Sequence, residues 1–148
     1  MIVKTLGLQS LKSLLQNDKE VFEEYYDFLL ESFEGGDQGI KITIAEIFTE
    51  YLEKRDTEAT VTVMVKALDS LEDNYLNIET ADVLIKNILT ICSKNYYQNI
   101  DDCEWLLMTV LMPIIPKIKK MDTMSLALDI LKVGKSVYFC LINFRTLH

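Results

Sequence analysis

The residues that could carry covalent or acid–base chemistry are few and poorly spaced for it. The sole histidine, His148, is the last residue of the sequence, where fraying defeats any fixed geometry. Neither a serine–histidine nor a cysteine–histidine nucleophile pair can therefore be assembled. Cys92, Cys103 and Cys140 form no Cys-x-x-Cys or Cys/His ligand pattern. Their odd number speaks against a secreted disulfide framework, and they read as reduced core thiols. Asp101, Asp102 and Glu104 come nearest to a metal or acid–base cluster. Carboxylates at this spacing ahead of an apolar run are explained by helix capping alone, with Asp101 and Glu104 as the capping pair. No catalytic, cofactor-binding or metal-binding residue is assigned on this reading; no enzyme and no cofactor are expected.

Two further groups could bind rather than react. Tyr96, Tyr97 and Trp105 have faces broad enough to stack on a ligand or a nucleobase. Beside Ile100 and Leu106, at helical spacing, Trp105 reads as core and the tyrosines as loop anchors. The second group is basic. Of the formal net charge of −8, residues 1–110 contribute 9 Lys+Arg against 21 Asp+Glu, or −12, and residues 111–148 contribute 6 against 2, or +4. An acidic body repels phosphate backbones, so nucleic-acid binding is excluded over most of the surface. Lys117, Lys119, Lys120, Lys132, Lys135 and Arg145 could meet an acidic partner or an anionic membrane. A solvated helix end is the simpler reading.

At 148 residues the chain has the length of one domain with a real core. No apolar run approaches the roughly 20 residues of a membrane span; the longest, Trp105 to Ile115, is interrupted by Thr109 and Pro113. Gln9, Ser10, Lys12 and Ser13 break any signal-peptide pattern. No Asn-X-Ser/Thr sequon occurs. A cytosolic location is expected.

The elements that would position these residues are helices. A first, about Val3 to Gln16, carries the stripe Leu8, Leu11, Leu14 and Leu15. Asn17 and Glu20 can cap a second, about Asp18 to Phe33, burying Val21, Phe22, Tyr25, Phe28 and Leu29 and leaving an acidic outer side. The glycine-rich run Gly35 to Gly39 predicts a turn, without the spacing of a phosphate loop. A third helix, about Ile40 to Lys54, buries Ile40, Ile44, Ile47, Phe48, Tyr51 and Leu52. The fourth follows Asp56 and Thr57 and runs to about Asp73 through Val61, Val65, Leu68 and Leu71; its β-branched stretch Thr60 to Val65 keeps helical spacing. Thr80 caps the fifth, about Ala81 to Ser93, with Leu84, Ile85, Ile88, Leu89 and Cys92 inward. After the loop Lys94 to Ile100, the sixth carries Trp105, Leu106, Val110 and Leu111 inward; Pro113 and Pro116 predict its kink or end near Met112. A seventh from about Thr123 to Val133 and an eighth from Lys135 complete a fourth pair, with Gly134 between them.

Val3-Lys4 recurs as Ile40-Lys41, and the same offset of 37 carries Leu11 to Phe48, Leu14 to Tyr51 and Leu15 to Leu52. Two-helix units at this period predict an all-α, right-handed α-α superhelix, a solenoid of HEAT or armadillo type with about four helix pairs.

Three segments carry a family resemblance: VKTLGLQSLKSLL, then FLLESFE, then DQGIKITIAEIF. Together they resemble the helical trunk of the large adaptins of vesicle-coat adaptor complexes. DVLIKNILTICSKNYYQNIDDCEWLL is most similar to the delta-type chains of adaptor complex 3, in which a helix ending in Ile-Cys-Ser leads to a Tyr-Gln loop and a Glu-Trp pair. Those residues here are Ile91, Cys92, Ser93, Tyr97, Gln98, Glu104 and Trp105. LDILKVG, Leu128 to Gly134, continues the likeness. The resemblance implies that residues 1–148 are one helical-repeat portion of a longer trunk. It implies a scaffold in transport from Golgi or endosomal membranes toward a lysosome or vacuole, with small sigma, medium mu and beta chains and an Arf-type GTPase as partners. Membrane association would be peripheral, through the complex. No partner-contact residue carries over. The reading from residues alone leaves a second class open, a stand-alone helical-repeat binding module of unrelated origin.

Overall fold

The structure is a computed structural model that describes residues 2–71 and 77–133. Its helices are α1 (Ile2–Asn17), α2 (Val21–Gly35), α3 (Gln38–Tyr51), α4 (Lys54–Asp69) and α5 (Ile78–Ser93), then α6 over residues 103–117 and α7 over residues 121–133. No strand occurs among the described residues. The eighth helix expected from Lys135, with Cys140 and Arg145, lies outside them.

The helices form two layers, as the repeat predicts. In one layer α1 packs on α3 and α3 on α5; in the other α2 packs on α4 and α4 on α6. α2 folds back on α3, and α4 on α5, to make successive pairs. The core between the layers includes the fully buried Phe33, Phe48, Ile44, Ile47, Met64, Leu84, Ile85, Ile88 and Leu89. Phe48 stands among Phe22, Tyr26 and Phe33 with ring centroids 6.2 to 6.4 Å apart. This all-helical repeat superhelix matches the fold expected from the 37-residue offset.

Polar side chains tie each repeat to the next. Lys12 on α1 reaches Glu46 on α3 at 3.0 Å. The Thr80 hydroxyl on α5 donates to Gln38 Oε1 on α3 at 2.9 Å, and that of Thr49 donates to Asn87 Oδ1 at 2.7 Å. Between α5 and α7 the Thr123 hydroxyl donates to the buried Asp82 at 2.6 Å. Each bond fixes a register that apolar contacts alone leave free to slide.

Several helix ends differ from expectation for local reasons. α2 begins at Val21 with Glu20 at its N-cap and no side-chain cap: the Asn17 amide turns back to the Ser13 carbonyl, and Asp18 accepts the Glu20 N–H in the turn ahead of the helix. Asp37 caps α3 by accepting from Ile40 N at 2.9 Å, so α3 starts at Gln38 and takes Gly39 into its first turn. Gly36 supplies the break for want of a Cβ, which would stand 2.5 Å from Ile40 Cγ2 and 2.6 Å from the Ser32 carbonyl oxygen. α3 stops at Tyr51, and α4 starts at Lys54, before Asp56 and Thr57. Its threonines lie within the helix, the hydroxyls of Thr57, Thr60 and Thr62 each donating to the carbonyl four residues back, and its apolar spacing rather than these bonds keeps the β-branched stretch helical. α5 starts at Ile78, so Thr80 lies inside it, bonded to Gln38 rather than capping.

The interior also corrects three residues. Leu14, Tyr25 and Phe28, expected to be buried, are 46%, 40% and 52% exposed, while Tyr26 and Phe33 turn inward in their place. The two prolines do not end α6 at Met112. The helix changes its bonding instead: one α turn, Cys103–Trp105, a π stretch, Leu106–Leu111, a second α turn, Met112–Ile114, and a 3₁₀ turn, Ile115–Lys117. Met112 N–H donates to the Leu107 carbonyl five residues back. Pro113, next in line, has no N–H to give, and such π bulges absorb the mismatch.

Candidate functional site

The segment between α5 and α6 is the most irregular of the described chain. Asn95, Tyr96 and Tyr97 have φ of 55°, 55° and 66°, three successive non-glycine residues in left-handed conformation. Each such residue costs about 1 to 2 kcal/mol. The turn is closed by Gln98 N–H to the Asn95 carbonyl and Ile100 N–H to the Tyr97 carbonyl, both at 3.2 Å.

Side chains on both flanks hold the turn down. Lys94 Nζ donates to the Thr49 and Glu50 carbonyls at 3.0 and 2.9 Å, closing the C-terminal end of α3. Lys41 does the same for α2, donating to the Phe33, Glu34 and Gly36 carbonyls at 2.6, 3.1 and 3.0 Å, with its ammonium 5.4 Å from the Phe33 ring centroid. Burial pushes the Lys41 pKa down, against the opposing pull of Asp37 and Glu34. These two lysines serve helix ends, a role that sequence reasoning gave to neither, Lys41 having been read only as part of the repeat.

The aromatic residues divide. Tyr97 is half-buried against the core, and burial raises its phenol pKa, as do Asp129 and Cys92. Tyr96 is 92% exposed. It anchors nothing in the described chain. Trp105 is half-buried at the edge of the core rather than inside it. Cys92 is fully buried, and burial with the nearby Glu58 charge pushes its thiol up to about 12. Cys103 is only half-buried, so the expectation of core thiols holds for Cys92 and not for Cys103, while Cys140 lies outside the described residues. Burial raises the Cys103 pKa, Asp102 adding to it.

The carboxylates at the start of α6, of which Asp101 and Glu104 were expected as the capping pair, separate by role. Asp102 caps, its Oδ1 accepting from Trp105 N at 3.1 Å. Asp101 lies one residue too early and pairs with Lys54 at 3.0 Å instead. Glu104 is exposed. Asp101 thereby tethers the loop to the first turn of α4, and the two segments enclose a cleft of about 370 Å³ lined by Lys54, Arg55, Glu58, Asn99 and Asp101. Arg55 is held by Glu23 and by Asp56, the latter at 3.3 Å. Glu58 Oε1 is shut off from solvent without a hydrogen-bond partner.

The basic stretch from the last residue of α6 onward is largely engaged by acidic side chains. Lys117 pairs with Asp69, and Lys120 with Glu79 at 2.8 Å and Asp82 at 3.8 Å. Lys86 bridges Asp82 and Asp122 at 3.3 and 3.0 Å. Lys119 is exposed. These pairs lock α4, α5 and the start of α7, which leaves less free charge for an external anion than the sequence count implies.

Comparison with known proteins adds an independent line. The chain is 26% identical over 103 residues to the AP-3 complex subunit delta of Dictyostelium discoideum, covering 70% of this chain and 9% of that protein. It is 23% identical over 103 residues to the AP-3 complex subunit delta-1 of Bos taurus, covering 70% and 8%. The match thus spans less than a tenth of the length of these relatives. No family model and no solved structure matches the chain.

Proposed function

We propose that the chain is a portion of the helical trunk of an adaptor-complex large subunit, a non-enzymatic scaffold in vesicle-mediated protein transport. The observation that carries this reading is the similarity, over 70% of the chain, to delta subunits of AP-3 complexes from two distant organisms. Stacked helix pairs support it, since such a stack presents extended surface for other chains.

In this reading residues 1–148 form one helical-repeat unit of a longer trunk, and its uncovered apolar flank is consistent with that. Glu23 and Tyr26 mark the face of α2 that meets α4, through Arg55 and Thr60. At about 100° per residue, Phe28 lies nearly opposite that face. With Tyr25, Leu14 and Leu6 it leaves apolar surface where a further helix pair would stack. The partners are then the small sigma, medium mu and beta chains and an Arf-type GTPase. The setting is the cytoplasmic face of Golgi or endosomal membranes, with traffic toward a lysosome or vacuole. Affinity purification of the full-length protein from its native cell tests the assignment. Stoichiometric recovery of sigma-, mu- and beta-type chains is expected, and their absence under conditions that preserve adaptor complexes would refute it.

A further inference from the structure

We propose that residues 118–133, which are α7 and the link before it, form a joint in the stack: they open from α5 as a unit while the earlier helices stay closed, and polar bonds gathered on Asp82 hold them shut. The inference does not rest on the adaptor assignment.

The apolar hold on α7 is thin. α5 buries Leu84, Ile85, Ile88, Leu89, Ile91 and Cys92, whereas the apolar side chains that α7 buries are Ala127 and Ile130. Met124, Leu126 and Leu131 are half-buried beside them. Burial of apolar surface is what binds one repeat to the next, and a segment with little of it opens at a lower free energy than the whole. Nor is α7 carried by a continuous helix. α6 ends in the 3₁₀ turn Ile115–Lys117, and Ile118 is extended, with φ −75° and ψ 125°. No helical bonding passes through the link to make α7 move with α6.

Polar bonds supply what apolar contact lacks. The Thr123 hydroxyl, on a residue 1% exposed, donates to Asp82 Oδ1 at 2.6 Å. Lys86 and Lys120 stand 3.3 and 3.8 Å from the other oxygen of Asp82. Each lysine also reaches a second carboxylate, Lys86 to Asp122 at 3.0 Å and Lys120 to Glu79 at 2.8 Å. The α5 side of this corner is therefore Glu79, Asp82 and Lys86, and the joint's side is Lys120, Asp122 and Thr123. The two outer pairs are open to water and hold little by themselves. The bond from Thr123 to the buried Asp82 is different, because a closed joint without it would leave a charged oxygen shut off from water and unpaired, while an open joint hydrates it. Asp122 and Glu79 side chains are 68% and 74% exposed. Charged groups brought against them compete with these pairs, so the joint answers to charge.

Amide hydrogen exchange of the 148-residue chain, followed by nuclear magnetic resonance, tests this. Amides of residues 124–133 should exchange at least about tenfold faster than those of the α3 and α5 interiors. Thr123→Val keeps the shape and removes the donor; it should speed exchange in residues 124–133 by at least about tenfold more and leave α3 and α5 unchanged. One common rate for all three helices in the wild type overturns the proposal, as does a Thr123→Val effect that is absent or spread equally over the stack. Should Thr123→Val lose its helical circular dichroism, Lys120→Met is judged by the same pattern, with about a twofold or larger increase confined to residues 124–133.

Discussion

From α2 to α5 the backbone is regular helix, and side chains close several ends and faces: Lys41 and Lys94 on the carbonyl ends of α2 and α3, Asp37 on the first turn of α3, Thr80 and Thr49 across repeats. Between residues 94 and 117 the backbone itself departs from ordinary forms, through three left-handed residues and a helix that passes through π and 3₁₀ turns. The first region spends its side chains on regular packing. The second carries an exposed tyrosine on a strained turn.

Truncating the two regions should separate them most sharply. Leu84 on α5 is fully buried between layers, so Leu84→Ala is expected to destabilise by about 2 to 5 kcal/mol. Leu107, half-buried in the π stretch, should lose about 1 to 2 kcal/mol as alanine, since less of its surface leaves water. Urea denaturation of both variants measures the difference, and equal losses would mean that α6 is packed as tightly as α5.

A smaller effect is expected at Gly36, which has an ordinary φ of −83° yet no room for a Cβ. Gly36→Ala should destabilise by about 1 to 3 kcal/mol through crowding against Ile40 and the Ser32 carbonyl. The thermal midpoint reads this out, and a stabilised variant would show that the α2–α3 turn can open at no cost.

The same contrast explains how much could be read in the sequence. The apolar stripes of α3 and α5 were legible because these helices have neighbours on both sides, so every residue of the stripe found a contact. Leu14, Tyr25 and Phe28 follow the same periodicity but stand where the described stack has no further helix. Spacing marks which residues are apolar; it does not say which of them has a neighbour. Caps were legible only to within a residue or three: Asp102 replaced Asp101, and α2 starts three residues beyond Asp18 with no side-chain cap. Glu58 and Asn99 were not legible, because they come from segments that only the folded stack brings to one cleft. Nor does any letter announce the left-handed turn, since glycine is the usual signal and Asn95, Tyr96 and Tyr97 supply none.

Alkaline pH tests how dry the regular region is. The folded Cys92 thiol titrates at about 12, against an ordinary 9.0. Its contribution is therefore complete below pH 9 and is lost as pH rises toward 12, because the unfolded chain gives up the proton first. One group gives a slope of at most about 1.4 kcal/mol per pH unit. Buried Tyr51 and half-buried Tyr26 and Tyr97, with pKa values also raised, act in the same direction, whereas Lys41 acts in the opposite one. Cys92→Ala should flatten the decline relative to wild type, and Cys103→Ala, at the irregular end, should flatten it less. Denaturation midpoints measured from pH 8 upward compare the two slopes.

The smallest predicted change lies in the left-handed turn and has the opposite sign from the others. Tyr96 makes no packing contact that would be missed, being 92% exposed, and its φ of 55° is one that glycine adopts freely. Tyr96→Gly removes about 1 to 2 kcal/mol of strain and adds back about 0.5 to 1 kcal/mol of unfolded-state freedom. A stabilisation of up to about 1 kcal/mol should result, read as a higher urea midpoint. If the variant were instead clearly destabilised, the ring would be holding the turn, and Tyr96 would belong with Lys94 and Tyr97 as an anchor. A stabilised variant means that a tyrosine is kept at this position against the preference of the backbone, which is the behaviour of a residue presented to another molecule rather than used to fold its own chain.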